Sequence, residues 1–189
     1  MSRESVNSLE IARELILRCV PAGGCVVDAT AGGGRDTVFL AKTVGPQGKV
    51  WAFDIQQEAL AATADLLASA KLSARVQLIH DGHQNLKRYL RGSLIHAAMF
   101  NLGYLPGGNK ELITLPENTL KALGAALELL VPGGLVTLVV YTGHPGGKAE
   151  GAAVEAFVQD LSQALLDVFK VSYPNREASA PYLIAIQKR

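Results

Sequence analysis

Cys25-Val26-Val27-Asp28-Ala29-Thr30-Ala31-Gly32-Gly33-Gly34 passes from an apolar, β-branched run through an acidic residue into a glycine loop, and Arg35-Asp36-Thr37 then opens a helix. Without Cβ atoms the loop backbone presses close to a ligand, and free amides at a helix start favour negative charge there. Three consecutive glycines are costly to order, which favours a binding loop over a plain strand-to-helix turn. The spacing is not Gly-x-Gly-x-x-Gly, because Thr37 stands where the third glycine would fall.

Outward from this stretch, β-branched runs alternate with segments of helical period, the pattern of repeated βα units. A helix over Ser8 to Arg18 precedes the strand from Cys25 to Ala29, and a helix from Asp36 to Thr43 follows it. Next come a strand at Lys49 to Asp54, a helix at Glu58 to Ala70, a strand at Ala74 to Ile79 and a short helix at Gln84 to Leu90. A strand at Ile95 to Phe100 leads to an irregular loop opened by Pro106-Gly107-Gly108-Asn109 and to a helix at Pro116 to Leu130, stopped by Pro132-Gly133-Gly134. Leu135 to Tyr141 is a fully apolar strand, Lys148 to Leu166 a helix, and Val168 to Tyr173 and Tyr182 to Gln187 are the last strands. Seven strands result, mostly buried on both faces as in a parallel sheet covered by helices. The last two lack room for a crossover helix and must pair antiparallel. The expected fold is therefore α/β, Rossmann-like and doubly wound, ending in an antiparallel hairpin.

Residues 1–189 read as a single domain, 49% apolar and 19% charged, with no linker or repeat. Met1-Ser2-Arg3-Glu4 does not open like a signal peptide, and no apolar run is long enough for a bilayer, so a cytoplasmic location is expected. Cys19 and Cys25 lack zinc-knuckle spacing, and Cys25 reads as a small hydrophobe opening a strand. A net charge of +1 argues against a broad nucleic-acid face but not against a local patch, and Lys87, Arg88 and Arg91 lie close together.

Ligands of open α/β sheets sit outside the carboxyl ends of the strands, where the remaining candidates cluster. The glycine run resembles the acidic-x-Gly-x-Gly-x-Gly loop of class I methyltransferases, with Thr30 in place of the first glycine. Such a loop meets the carboxylate of S-adenosylmethionine, while Asp28 accepts from its ammonium, directly or through water. Asp54 ends the second strand, where a carboxylate grips a ribose diol. In His80-Asp81-Gly82-His83, Asp81 is placed to accept from an adenine amino group; the histidines read as capping or packing residues, with no ligand set for a metal. Asn101-Leu102-Gly103-Tyr104-Leu105-Pro106 resembles the Asn/Asp-Pro-Pro-Tyr motif of enzymes that methylate amino nitrogens, Leu102 and Gly103 replacing the prolines. There an Asn oxygen orients the amine, and Tyr104 stacks on a flat base. His144, in Tyr141-Thr142-Gly143-His144-Pro145-Gly146-Gly147-Lys148, is equally readable as a base or substrate contact and as a loop residue.

Assembled, these segments resemble the YtqB/MnmM family, class I methyltransferases of the tRNA wobble uridine. The resemblance spans nearly the whole chain, through Phe53-Asp54-Ile55-Gln56, the Asn101 segment with Gly107-Gly108 and Lys110, the His144 segment and the closing Pro181-Tyr182-Leu183. It implies methyl transfer from S-adenosylmethionine to the amine of 5-aminomethyl-2-thiouridine at position 34. It assigns the cofactor to Asp28, Thr30, Gly32, Gly34, Asp36, Thr37, Asp54, Gln56, Asp81, His83 and Asn101. The substrate falls to Tyr104, Lys110, His144 and Lys148, with Asn101, Tyr104 and His144 around the reaction and no metal. Lys87, Arg88, Arg91, Lys110 and Lys148 would form a short basic footprint for the anticodon region of tRNA, and a homodimer stays open. Gly33 stands where such loops often carry Asn, and Ala149 where an acidic residue is expected after Lys148. Alternatives are a class I methyltransferase for a small molecule, rRNA or protein, a dinucleotide-dependent oxidoreductase, and a non-catalytic RNA-binding or ligand-sensing module.

Overall fold

The structure is a computed structural model that describes residues 7–103 and 113–189. Tyr104, Pro106, Gly107, Gly108, Asn109 and Lys110 lie outside the described residues. Helix α1 (Ser8–Cys19) starts at a capping box: the Asn7 side chain accepts from the Glu10 amide at 3.0 Å, and the Glu10 carboxylate accepts from the Asn7 amide at 3.1 Å. Strand β1 (Cys25–Asp28), helix α2 (Arg35–Val44), strand β2 (Lys49–Asp54), helix α3 (Gln57–Ser69) and strand β3 (Val76–His80) follow. Then come α4 (Leu86–Leu90), β4 (Ile95–Leu102), α5 (Pro116–Leu129), β5 (Leu130–Val140), α6 (Gly147–Gln159), β6 (Leu166–Val171) and β7 (Tyr182–Lys188).

The seven strands form one sheet in the order β3-β2-β1-β4-β5-β7-β6. Strands β1 to β5 pair in parallel; β7 lies antiparallel between β5 and β6, so the expected hairpin is present. Neighbouring side chains on the central strands serve opposite layers. Val27, Ala98 and Phe100 pack beneath α4, α5 and α6, whereas Val26, Ala97 and Met99 pack beneath α1, α2 and α3. This two-sided burial explains why these strands read as unbroken apolar runs.

Four local expectations change. Ala74 and Arg75 form a 3₁₀ turn rather than strand, and the Arg75 guanidinium donates to the Ala41 carbonyl at 3.0 Å. Pro132-Gly133-Gly134 does not stop α5, which has already ended at Leu129; it lies in an irregular start of β5, where Ile95 pairs with Leu130 but Ala97 with Leu135. Gly133 takes a positive φ of 78° there. Helix α6 ends at Gln159 instead of near Leu166: Leu165 is 63% exposed, so further turns would bury little, and β6 takes Leu166 to the sheet edge. Strand β4 runs on to Leu102, which places Asn101 inside the ladder opposite Val139.

Candidate active site

The chain order reverses direction between β1 and β4, and this switch point brings the ends of β1, β2 and β4 to one crevice. The glycine loop is tied down from several sides. The Ala29 amide donates to the Met99 carbonyl and the Ala31 amide to the Phe53 carbonyl, both at 2.9 Å. The Asp54 carboxylate accepts from the Gly32 amide at 2.8 Å and the Gln56 amide at 2.9 Å, joining the loop to the end of β2. Thr63 of α3, fully buried, donates to the Gly32 carbonyl at 3.0 Å.

Asp28 is fully buried beneath this loop. One oxygen accepts from the Thr37 hydroxyl at 2.6 Å and the other from the Thr30 amide at 3.2 Å. Asp28 thereby organises the loop and the start of α2. Burial, and then the charge of neighbouring Asp36, pushes its pKa up from 3.8 to about 7, against the pull of the Thr37 and Thr30 hydrogen bonds. The folded protein therefore holds this proton more tightly than the unfolded chain. The group's stabilising contribution is complete below its unfolded pKa of 3.8 and is lost as pH rises through about 7. Asp28→Asn keeps the acceptor for Thr30 and lets Thr37 become the acceptor. We expect it to flatten the decline in stability from acid to neutral pH, a difference on the order of 4 kcal/mol at 1.36 kcal/mol per pKa unit. Urea denaturation at a series of pH values checks this; parallel curves for the two proteins would assign the dependence to another group.

Asn101 joins β4 to the glycine loop and to α2. Its backbone amide donates to the Thr30 hydroxyl at 2.8 Å, and its side-chain nitrogen donates to Asp36 Oδ2 at 2.6 Å. Since an ionised carboxylate only accepts, the amide nitrogen must face Asp36. Its oxygen is buried and has no hydrogen-bond partner within the protein. The other oxygen of Asp36 receives Nε and a terminal nitrogen of Arg13 at 2.8 and 2.6 Å. Arg13, from α1, was not among the residues singled out by sequence; it is one of several charges on a helix, and only packing of α1 against α2 marks it.

The remaining candidates gather around this core. His83 is buried, and its Nδ1 lies 2.9 Å from the Ala29 carbonyl. A carbonyl cannot donate, so Nδ1 carries the proton and Nε2 is a buried acceptor without a partner. Burial holds the His83 pKa below its usual value and keeps the ring neutral. His80 Nε2 reaches the Ile55 carbonyl at 3.0 Å, so both histidines staple strand-end loops. Asp81 accepts from the Gly82 amide, the Asn85 side chain and the Tyr89 hydroxyl. Burial raises its pKa, but these hydrogen bonds together outweigh it and keep the group ionised.

On the β5 side, His144 lies against β4: a Cβ on Gly103 would stand 3.4 Å from His144 Nε2 and 3.6 Å from the Cβ of Tyr141. Tyr141 is 37% exposed, and burial followed by the charge of Asp36 raises its phenol pKa, so it stays protonated. Lys148 is exposed in the first turn of α6. Next to Ala149, Glu150 is buried and accepts from the Thr114 and Thr119 hydroxyls at 2.5 and 2.6 Å, anchoring the His144 segment to the start of α5. Of the expected basic footprint, Lys87 is paired with Glu128, and the Arg88 guanidinium stacks on the Tyr89 ring at 5.9 Å.

Chemically, Asp28, Asp36 and Asp54 converge while Arg13 pairs with Asp36 alone, a setting that favours a cationic ligand over an anionic one. Among the described residues no cluster of His, Cys, Asp or Glu could hold a metal ion, and no helix is long and apolar enough to cross a membrane.

The family described as "Putative rRNA methylase" matches residues 50–187. The chain is 41% identical over 192 residues to the chloroplastic tRNA (mnm(5)s(2)U34)-methyltransferase of Arabidopsis thaliana, covering 97% of this chain and 70% of that one. A crystal structure described as a putative rRNA-methylase from Clostridium thermocellum superposes with a TM-score of 0.95 at 42% identity, covering 98% of this chain and 100% of that one. A second, a putative methyltransferase from Streptococcus mutans in complex with SAH, does so with a TM-score of 0.89 at 36% identity, over 98% of this chain and 100% of that one. The glycine loop, the strand-end carboxylates and Asn101 thus stand on a class I methyltransferase fold, and the chain belongs to the YtqB/MnmM methyltransferase family.

Proposed function

We propose that this protein transfers a methyl group from S-adenosylmethionine to the amine of 5-aminomethyl-2-thiouridine at wobble position 34 of tRNA, acting as a single cytoplasmic domain. The observation that carries the reading is the Asn101 amide, its nitrogen committed to Asp36 and its oxygen buried and unpaired. Such an oxygen suits the N–H of an incoming amine. The acidic surplus suits the ammonium and sulfonium charges of S-adenosylmethionine, and the loop from Gly32 to Gly34, the Asp54 carboxylate and the buried acceptor of His83 are the groups that would hold it. When bound, this cofactor supplies a methyl group already activated on a positively charged sulfur.

The protein's own task is then alignment and dryness. An alkylamine resembling lysine, with a reference pKa of about 10.4, is mostly protonated at neutral pH, and freeing its lone pair costs on the order of 4 kcal/mol. Desolvation in the crevice favours the neutral amine. Asn101 accepts one of its hydrogens without supplying the full negative charge that would retain the ammonium form. The amine would give its proton to solvent before transfer; its lone pair would then form the nitrogen–carbon bond as the carbon–sulfur bond breaks, leaving S-adenosylhomocysteine and the methylated ammonium. Tyr141, protonated, walls the same crevice beside Gly103 and His144.

The test is incubation of the protein with labelled S-adenosylmethionine and bulk tRNA lacking the modification, followed by nucleoside mass spectrometry. Label in 5-methylaminomethyl-2-thiouridine is expected. Label confined to rRNA, to a free metabolite or to protein would replace the substrate while leaving the cofactor assignment intact.

A further inference from the structure

We propose that Arg13 is the positioning residue that holds the Asn101 amide with its oxygen toward the substrate, acting through Asp36; the proposal rests on the reading of Asn101 as the amine acceptor. An asparagine amide has nearly the same shape after a half-turn, so only its partners decide which end faces the crevice. Here the decision belongs to Asp36, whose Oδ2 takes the amide nitrogen at 2.6 Å. Asp36 itself is 7% exposed and lies close enough to buried Asp28 to raise that group's pKa, so its carboxylate needs a cation to settle in one orientation. Arg13 supplies it with two hydrogen bonds to Oδ1, which leaves Oδ2 for Asn101.

Arg13 is held in turn by its helix. The capping box at Asn7 sets the start of α1, Ser8 Oγ donates to the Pro181 carbonyl at 3.0 Å, and Ala12 and Ile16 are fully buried against the sheet. The guanidinium also lies 5.5 Å from the centre of the Phe39 ring of α2. Three side chains from α1, α2 and β4 therefore form one directed chain of donors and acceptors, Arg13 to Asp36 and Asn101 to Asp36. Helix α1 does more than cover the sheet: it determines which atom of Asn101 the substrate meets.

The test compares Arg13→Ala, Arg13→Lys and Asp36→Asn with wild type, using exposed Glu14→Ala as a control on the same helix. Asp36→Asn preserves volume but pairs with either orientation of the Asn101 amide. The first readout needs no ligand: the side-chain amide signals of Asn101 in a ¹H–¹⁵N spectrum, identified by their loss in Asn101→Ala. One of the two protons is expected strongly displaced in wild type and in Glu14→Ala, and returned to ordinary amide positions in Arg13→Ala and Asp36→Asn. The second readout is single-turnover methyl transfer at saturating cofactor and RNA. Arg13→Ala is expected to lose about 10- to 100-fold in rate with little change in either half-saturation constant. Added guanidinium should restore part of the Arg13→Ala rate and none of the Asn101→Ala rate, and Arg13→Lys, which keeps the charge without the fork, should fall between. Unchanged Asn101 signals in Arg13→Ala and Asp36→Asn would overturn the proposal, as would a loss carried wholly by weaker cofactor binding. Should Asn101→Ala stay active, the reading of Asn101 fails, while the amide signals still decide whether Arg13 sets its orientation.

Discussion

Asn101→Ala is expected to bind S-adenosylmethionine with nearly normal affinity and to lose about 100-fold or more in the rate of methyl transfer, the scale for removing a group that aligns reactants. The basis is geometric. Asn101 is fixed by its backbone amide on Thr30 and its side-chain nitrogen on Asp36, and its oxygen is buried without a partner. That oxygen matters most when a neutral amine must keep its lone pair aimed at the methyl carbon, so the loss falls on turnover and not on cofactor binding. Asn101→Asp should be at least as damaging: it sets a carboxylate against Asp36 Oδ2 and favours the protonated amine. Single-turnover rates at saturating cofactor and tRNA, with calorimetry for cofactor affinity, measure both parts. A rate within a few-fold of wild type would reduce Asn101 to a strand-end link between β4 and α2, and leave His144 to account for substrate contact.

The second large effect concerns two adjacent glycines that the sequence treats alike. Gly34 has a φ of 78°, and a Cβ there would stand 2.8 Å from Thr63 Oγ1 and 3.0 Å from Thr63 Cα. Gly34→Ala therefore meets left-handed strain and a backbone clash, about 1–3 kcal/mol from each source. At 2–4 °C per kcal/mol for a chain of this size, a fall in Tm of roughly 5–20 °C follows. The same shift disturbs the Thr63 bond to Gly32 and with it the loop, so cofactor affinity should drop as well. Gly33 is exposed, with nothing within 4 Å of its Cβ position and no positive φ. Gly33→Ala should keep the loop and gain about 0.4–1 kcal/mol by restricting the unfolded chain. The Asn that related loops carry at this place fits for the same reason. Thermal melts of the two variants, with and without S-adenosylmethionine, decide the matter; equal destabilisation would mean that the loop packs differently from this structure.

Both predictions show where sequence reading reaches its limit. Asp28, Asp54 and Asn101 are legible as candidates from their positions at or near the ends of β1, β2 and β4, because strand termini in an open α/β sheet converge whatever the loops do. What each side chain does there was less legible. Asp28 reads as a ligand contact in sequence, and the structure adds a tie no spacing shows: it is fully buried, and Thr37 on the first turn of α2 reaches back to it. Nothing local marks the buried Glu150, because its partners approach from elsewhere in the chain, Thr119 from α5 and Thr114 from the segment just before it.

The alternation of apolar strands with helical segments, the glycine loop and the absence of a crossover before the last strand determined by themselves the α/β class, the seven strands and the closing antiparallel pair, since each follows from local period or chain length. Tertiary structure alone decided which end of Asn101 meets Asp36, that Arg13 pairs with Asp36, and that Gly33, unlike Gly34, has room for a side chain. These depend on contacts between elements far apart in the chain, Arg13 with Asp36, Asp36 with Asn101 and Gly34 with Thr63, and no local pattern of residues encodes a direction of approach.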